Sequence, residues 1–155
     1  MTLEEAENYV EAILLRLEPF SIRASPVGSV RRKEPIIGDL DIVMEIWKSD
    51  LKAFKLAVQQ FSTLHSGGEK KIRIGNIFNN PQLQADIWLV YPPRSYTTLL
   101  GIFTGPDHVT IKLRENLLRN GYRRPHGEIR TQSEKQLFDI AGLPFLPPEE
   151  RHKIE

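Results

Sequence analysis

The sequence predicts an α/β (α+β) fold: a mixed or antiparallel sheet flanked by helices over residues 1–92, followed by a smaller α+β subdomain over residues 93–155. Three observations lead there. Leu40–Ile46 and Gln82–Val90 alternate apolar and polar residues, as a strand buried on one face does. Other stretches repeat apolar residues at helical spacing behind recognisable caps. Tyr91-Pro92-Pro93 then ends the second alternating run abruptly, and helical patterning dominates beyond it.

Each element has a local cause. Thr2 and Glu5 form a capping-box pattern ahead of Ala6, Val10, Ile13, Leu14 and Leu17, so a first helix is expected to Leu17, stopped by Pro19. Ile22–Val27 reads as a short strand ending at Gly28-Ser29. In the next strand Leu40, Ile42, Met44 and Ile46 share one face and Asp41, Val43 and Glu45 the other, which predicts a single buried face. Leu51, Phe54, Val58 and Phe61 mark a second helix, and Gly67-Gly68 a turn. Strands are expected over Lys71–Phe78 and Gln82–Val90, separated by Asn79-Asn80-Pro81. Helices follow over Ser95–Phe103 and Pro106–Arg119, the latter closed by Asn120-Gly121. Ser133 to Gln136 is a second capping-box pattern, opening a helix that ends near Gly142.

Composition narrows the function classes. The 155 residues are 40% apolar and 26% charged, an ordinary globular balance. No apolar run is long enough to cross a bilayer, and the acidic, amphipathic start does not resemble a signal peptide. A cytoplasmic or nucleoid-associated protein, monomeric and free of membrane, is therefore expected. There is no cysteine, hence no disulfide framework or thiolate metal site, and His65, His108, His126 and His152 have no ligand spacing. Charge is unevenly spread: residues 1–60 carry 8 Lys and Arg against 10 Asp and Glu, whereas residues 70–130 carry 10 against 4. A basic second half suits a polyanionic partner.

The chemistry is concentrated in a few positions. Asp39 and Asp41 flank Leu40 at a strand start. Residues i and i+2 of a strand point to one face with Cα atoms about 6.5–7 Å apart. Carboxylates so placed repel one another unless cations lie between them, and a pair of Mg²⁺ ions about 3.5–4 Å apart suits that gap. Asp86 on the other alternating strand offers a third carboxylate if the two strands are neighbours. Upstream, Gly28-Ser29-Val30-Arg31-Arg32 combines a glycine that permits close backbone approach, a hydroxyl donor and guanidinium groups suited to phosphate. A D-x-D pair alone also occurs in turns and solvated strand edges, and a glycine turn with exposed arginines is equally ordinary.

These residues together resemble a known family. Gly28-Ser29, then Gly38-Asp39-Leu40-Asp41, then a strand bearing Asp86, are similar to the nucleotidyltransferase superfamily pattern. Gly28-Ser29-Val30-Arg31-Arg32, Phe103-Thr104-Gly105, Ser133-Glu134-Lys135-Gln136-Leu137-Phe138 and Leu143-Pro144-Phe145-Leu146-Pro147-Pro148-Glu149-Glu150-Arg151 resemble, in order, motifs of the family X DNA polymerases, the polymerase beta relatives. The resemblance implies a nucleotidyltransferase palm over 1–92 and a nucleotide- and template-binding subdomain over 93–155. It implies Asp39, Asp41 and Asp86 as catalytic ligands of two Mg²⁺ ions, with Mn²⁺ as a substitute. Gly28, Ser29, Arg32 and Gly38 would hold the triphosphate, Phe103 and Gly105 the sugar, and Asp107 the base. Arg114 would face the template side of the nascent pair. Lys70, Lys71 and Arg73, which follow the Gly67-Gly68 turn, read from their place either as contacts to a DNA backbone or as part of a solvated hairpin. The partners implied are deoxynucleoside triphosphates and primer–template or gapped DNA.

The chain departs from the family at several points. Its first helix starts at residue 3, so neither a lyase domain nor helix-hairpin-helix segments are expected, and DNA grip should be distributive. Ile102 replaces an aromatic, Thr110 an asparagine that touches the incoming base, and Gln84 an arginine that helps hold the third aspartate. Pro125-His126-Gly127 replaces the common N-E-Y, and Arg123-Arg124 is either a DNA contact or a solvated pair. Template-independent transfer to RNA or protein, and a silent DNA-binding module, are the competing readings.

Overall fold

A computed structural model describes residues 1–122 and 129–155; Arg123-Arg124 and Pro125-His126-Gly127 fall outside them. Helix α1 spans Leu3–Leu17, and the expected capping box is complete, with Thr2 accepting from the Glu5 amide and Glu5 from the Thr2 amide. Strand β1 (Arg23–Pro26) leads into the short helix α2 (Gly28–Arg31), then β2 (Leu40–Glu45) and α3 (Leu51–Gln59). Strands β3 (Thr63–Gly67), β4 (Lys71–Gly75) and β5 (Ala85–Val90) follow, and then helices α4 (Tyr96–Thr104), α5 (Asp107–Arg119) and α6 (Glu134–Ala141). The five strands form one mixed sheet in the order β1-β2-β5-β4-β3, with β2 and β5 parallel and the other pairs antiparallel. This is the sheet flanked by helices that the sequence predicts; beyond it the described residues form helices, turns and irregular segments.

One sheet face carries the main core, in which Ala6, Val10, Ile13 and Leu17 of α1 and Phe54 and Val58 of α3 meet Leu40, Ile42, Met44, Ile72, Ile74 and Ile87. A second cluster lies among α4, α5 and α6 and includes Ile102, Leu113, Leu117 and Phe138. A third joins them across the other sheet face, setting Val27, Val43 and Val90 against Tyr96 and Leu99.

Three expected strands are corrected and one strand was not expected. β2 is covered on both faces beyond Asp41, because Val43 packs against α4 and Glu45 is buried in an ion pair with Arg23 of β1. β4 stops at Gly75 rather than Phe78, since Asn76, Phe78 and Asn79 take positive φ, a backbone state no strand accommodates. β5 begins at Ala85 rather than Gln82. β3 is an edge strand with mostly exposed residues, so it lacks the apolar alternation that would have announced it. The second capping box is also incomplete: Ser133 Oγ accepts from the Gln136 amide, but the Gln136 side chain accepts from Gln132, one residue earlier than the box requires.

Candidate active site

The sheet register assembles a polar row. Asp41 of β2 lies directly opposite Asp86 of β5, and Asp86 directly opposite Arg73 of β4. Paired residues of neighbouring strands share a face at about 4.8 Å strand spacing, so two carboxylates and a guanidinium stand side by side. One row on are Val43, Trp88 and Lys71. Asp39, just before β2, extends from the same end of the sheet and is half exposed. α4 covers this face at the Val43 end. A cleft of about 840 Å³ opens beside Asp39 toward α1, lined by Glu5, Asn8, Tyr9, Asn80 and Gln82 among others.

Gly28 sets the back of the site. Its φ is +58°, and a Cβ there would lie 2.6 Å from Asp41 Oδ2, so both the backbone state and the close approach require glycine. The carboxylates are unequally compensated. Burial, and then repulsion from Asp86 and Asp39, pushes Asp41 up to about 6 against the opposing pull of Arg32 and Lys71. Asp86 Oδ2 has Arg73 Nη1 at 3.5 Å and Lys71 Nζ at 3.6 Å, whereas its Oδ1 is buried without a hydrogen-bond partner among the described residues. Asp39 Oδ2 accepts from Arg73 Nη2 at 3.0 Å, and the same nitrogen donates to Gln84 Oε1 at 2.7 Å.

Hard carboxylate oxygens, an orphaned buried acceptor and a carboxylate whose charge is disfavoured together fit a divalent cation such as Mg²⁺ or Mn²⁺. Among the described residues, no three acidic or imidazole groups converge as a finished ligand set. Arg73 lies between Asp39 and Asp86, paired with both.

The two arginines of the expected phosphate cradle part company. Arg32 donates through Nη1 to the Thr104 carbonyl at 2.8 Å and through Nε and Nη2 to Glu34, beside Gly105, where a Cβ would lie 2.7 Å from Nη1. Arg31 turns away, giving two 2.6 Å hydrogen bonds to Glu134 and one to Thr104 Oγ1. Glu134 also accepts from Arg151, which is 1% exposed and lies over the Phe138 ring. The C-terminal motif thus ends in a strut that braces α2.

The remaining expected residues fall on two sides. Phe103 stacks on Trp88 at 4.0 Å between centroids, with Lys71 over Trp88 and Arg114 over Phe103. Lys71 therefore faces Asp86 and Trp88 rather than extending as part of a solvated hairpin. Burial lowers the Arg114 pKa, and its Nε is buried without an acceptor among the described residues. Ser29 is half-buried on α2, Gly38 is exposed with open space around it, and Asp107 is exposed in the first turn of α5. The Thr110 hydroxyl donates to the Ile102 carbonyl, tying α5 to α4. Arg73 and Gln84 are the site residues that sequence reasoning did not assemble. The signal available was the spacing of Lys71 and Arg73 around Ile72, which puts both cations on one strand face.

No family model matches the chain. In an alignment 140 positions long that covers 84% of the chain, it is 29% identical to the DNA polymerase/3'-5' exonuclease PolX of Bacillus subtilis (strain 168), and it spans about a quarter of that protein, 24%. The likeness is distant, and it joins this chain to a polymerase.

Proposed function

We propose that the chain is a nucleotidyltransferase of the family X polymerase type, which adds deoxynucleotides to the 3′-hydroxyl of a DNA primer in templated or short-gap synthesis. The observation that carries this reading is the in-register opposition of Asp41 and Asp86, with Asp39 at the same sheet end and Asp86 Oδ1 left without a partner. The distant PolX likeness supports it independently.

In this reading Asp39, Asp41 and Asp86 hold two Mg²⁺ ions, which when bound supply charge neutralisation for the attacking and leaving oxygens. The protein's own part is positioning. Asp86 orients the primer hydroxyl, because it is the carboxylate with a spare acceptor oxygen in a buried setting. Gly28 brings the α2 backbone against Asp41, leaving the Ser29 side of α2 to the triphosphate. Arg32, braced on Thr104 and Glu34, adds positive charge along that wall. The Trp88–Phe103 stack forms an apolar floor under the sugar, and Gly105 removes the side chain that would displace Arg32. Asp107 and Arg114 mark the base and template side. The cleft beside Asp39, where Asn8, Asn80 and Gln82 stand among Glu5, Tyr9 and apolar side chains, has room for the acceptor strand.

Primer extension with each deoxynucleotide in turn, on paired, gapped and template-free DNA with Mg²⁺ or Mn²⁺, tests the proposal. Template-dependent extension is expected, lost in Asp86→Ala. Extension by Asp86→Ala at the parent rate would sink the mechanism, and equal extension without template would move the chain to untemplated transfer.

A further inference from the structure

Arg73 sets a positive charge between two of the three carboxylates, Asp39 and Asp86. Its guanidinium is 3.0 Å from Asp39 Oδ2 and 3.5 Å from Asp86 Oδ2, and it donates to Gln84 Oε1 at 2.7 Å. It reaches this place because β4 pairs with β5 in the register Arg73↔Asp86. A hard cation that uses Asp39 and Asp86 together needs oxygen atoms that Arg73 now engages. Gln84 is neutral and aims an acceptor at the guanidinium, so it holds Arg73 without neutralising it.

We propose that Arg73 is an exchangeable counter-ion of the carboxylate site, a positioning residue whose hold on Asp39 is surrendered when a divalent cation binds. Gln84 is the post that keeps the guanidinium beside Asp86 after release. Cation binding is then an exchange of one positive group for another, not a simple addition to an open acidic cup. The inference rests on reading the site as a nucleotidyltransferase metal centre. It adds that this chain carries its own competitor for that metal.

Exchange makes a reciprocal prediction. Removing the guanidinium leaves Asp39 without its ion pair and Asp86 with Lys71 alone when metal is absent, yet removes the competitor when metal is offered. Mn²⁺ binding, read by electron paramagnetic resonance on the full chain without DNA or nucleotide, should be about tenfold tighter in Arg73→Ala than in the parent, a unit charge near 4 Å discounted for half-exposure. The thermal midpoint of Arg73→Ala should fall without metal, and the deficit should shrink at saturating Mn²⁺. Arg73→Lys keeps the charge but lacks the planar fork that spans three oxygens, so its Mn²⁺ affinity should fall between the two. If Arg73→Ala does not fold, Arg73→Lys alone carries the comparison.

Equal or weaker Mn²⁺ binding in the variants, with a deficit in thermal midpoint that metal does not change, would make Arg73 a purely structural bridge and overturn the exchange alone. Failure of the parent to bind Mn²⁺ would overturn both the exchange and the metal-centre reading.

Discussion

Two clusters of charged side chains lie on either side of α2, and they are built to opposite rules. At the Arg31–Glu134–Arg151 junction one carboxylate is engaged on both oxygens: Glu134 receives two 2.6 Å bonds from Arg31 and one of 3.1 Å from Arg151, whose side chain is almost wholly enclosed and whose Nη2 is buried without a hydrogen-bond partner among the described residues. At the Asp39–Asp41–Asp86 row three carboxylates share two looser cations, and one buried oxygen has no partner among the described residues. In the first the carboxylate is held by short bonds on both oxygens, whereas in the second the carboxylates keep attraction unspent for something from outside. Charged clusters in one small protein are therefore told apart by compensation, not by composition.

The largest expected effect breaks the open cluster. Asp86→Ala should lower primer extension by at least roughly 10³-fold, the scale at which loss of one preorganised electrostatic group is felt. Its urea midpoint should stay within a small margin of the parent, because Oδ1 has no partner among the described residues and Oδ2 makes only long contacts of 3.5 and 3.6 Å, while Arg73 keeps Asp39 and Gln84. A large stability loss would show that the row is structural after all. Breaking the closed cluster should do the reverse. Glu134→Ala leaves Arg151 enclosed without its counter-charge and should cost about 3 kcal/mol in urea denaturation. An unchanged midpoint would contradict the role of Glu134 as a strut.

Acid sharpens the same contrast. Burial by itself would push Glu134 up, but hydrogen bonds and charge from Arg31 and Arg151 outweigh it and hold its pKa below 4.5. A carboxylate depressed in the folded state contributes stability above its unfolded pKa and loses it as pH falls through the folded value. Stability should therefore drop as pH falls below about 4.5, and Glu134→Gln should lack that part of the slope in chemical denaturation from pH 7 to 3. Matching slopes in parent and variant would remove the argument. The smallest effect belongs to the boundary between the clusters. Gly28→Ala sets a methyl group against Asp41 in a left-handed backbone state and should cost about 1–2 kcal/mol. Its extension rate should fall by more than this stability loss explains, and a proportionate fall would reduce Gly28 to a turn residue.

Much of this was legible in the sequence because it is local. Thr2 and Glu5 announce a cap, Asn120-Gly121 a helix end, and the spacing of Asp39 and Asp41 two carboxylates at one strand end. What was not legible is long-range. No local pattern says that β5 lies between β2 and β4, and that placement alone brings Asp86 between Asp41 and Arg73. Arg31 and Arg32 are neighbours in sequence, yet a helical turn directs one to Glu134 and the other to Thr104 and Glu34. Likewise Gln84 read as a lost arginine, because the guanidinium that it meets comes from another strand.

The Arg31–Glu134–Arg151 strut also bears on how the molecule comes into being. Its partners are 103 and 17 positions apart along the chain, so the loop it closes is among the costliest to order. A ribosome has delivered all three carboxylates by residue 86 and their bracing only at residue 151. Nascent chains of intermediate length thus carry the acidic row before α2 is fixed against it, and cutting synthesis short leaves the wall of the site unmoored.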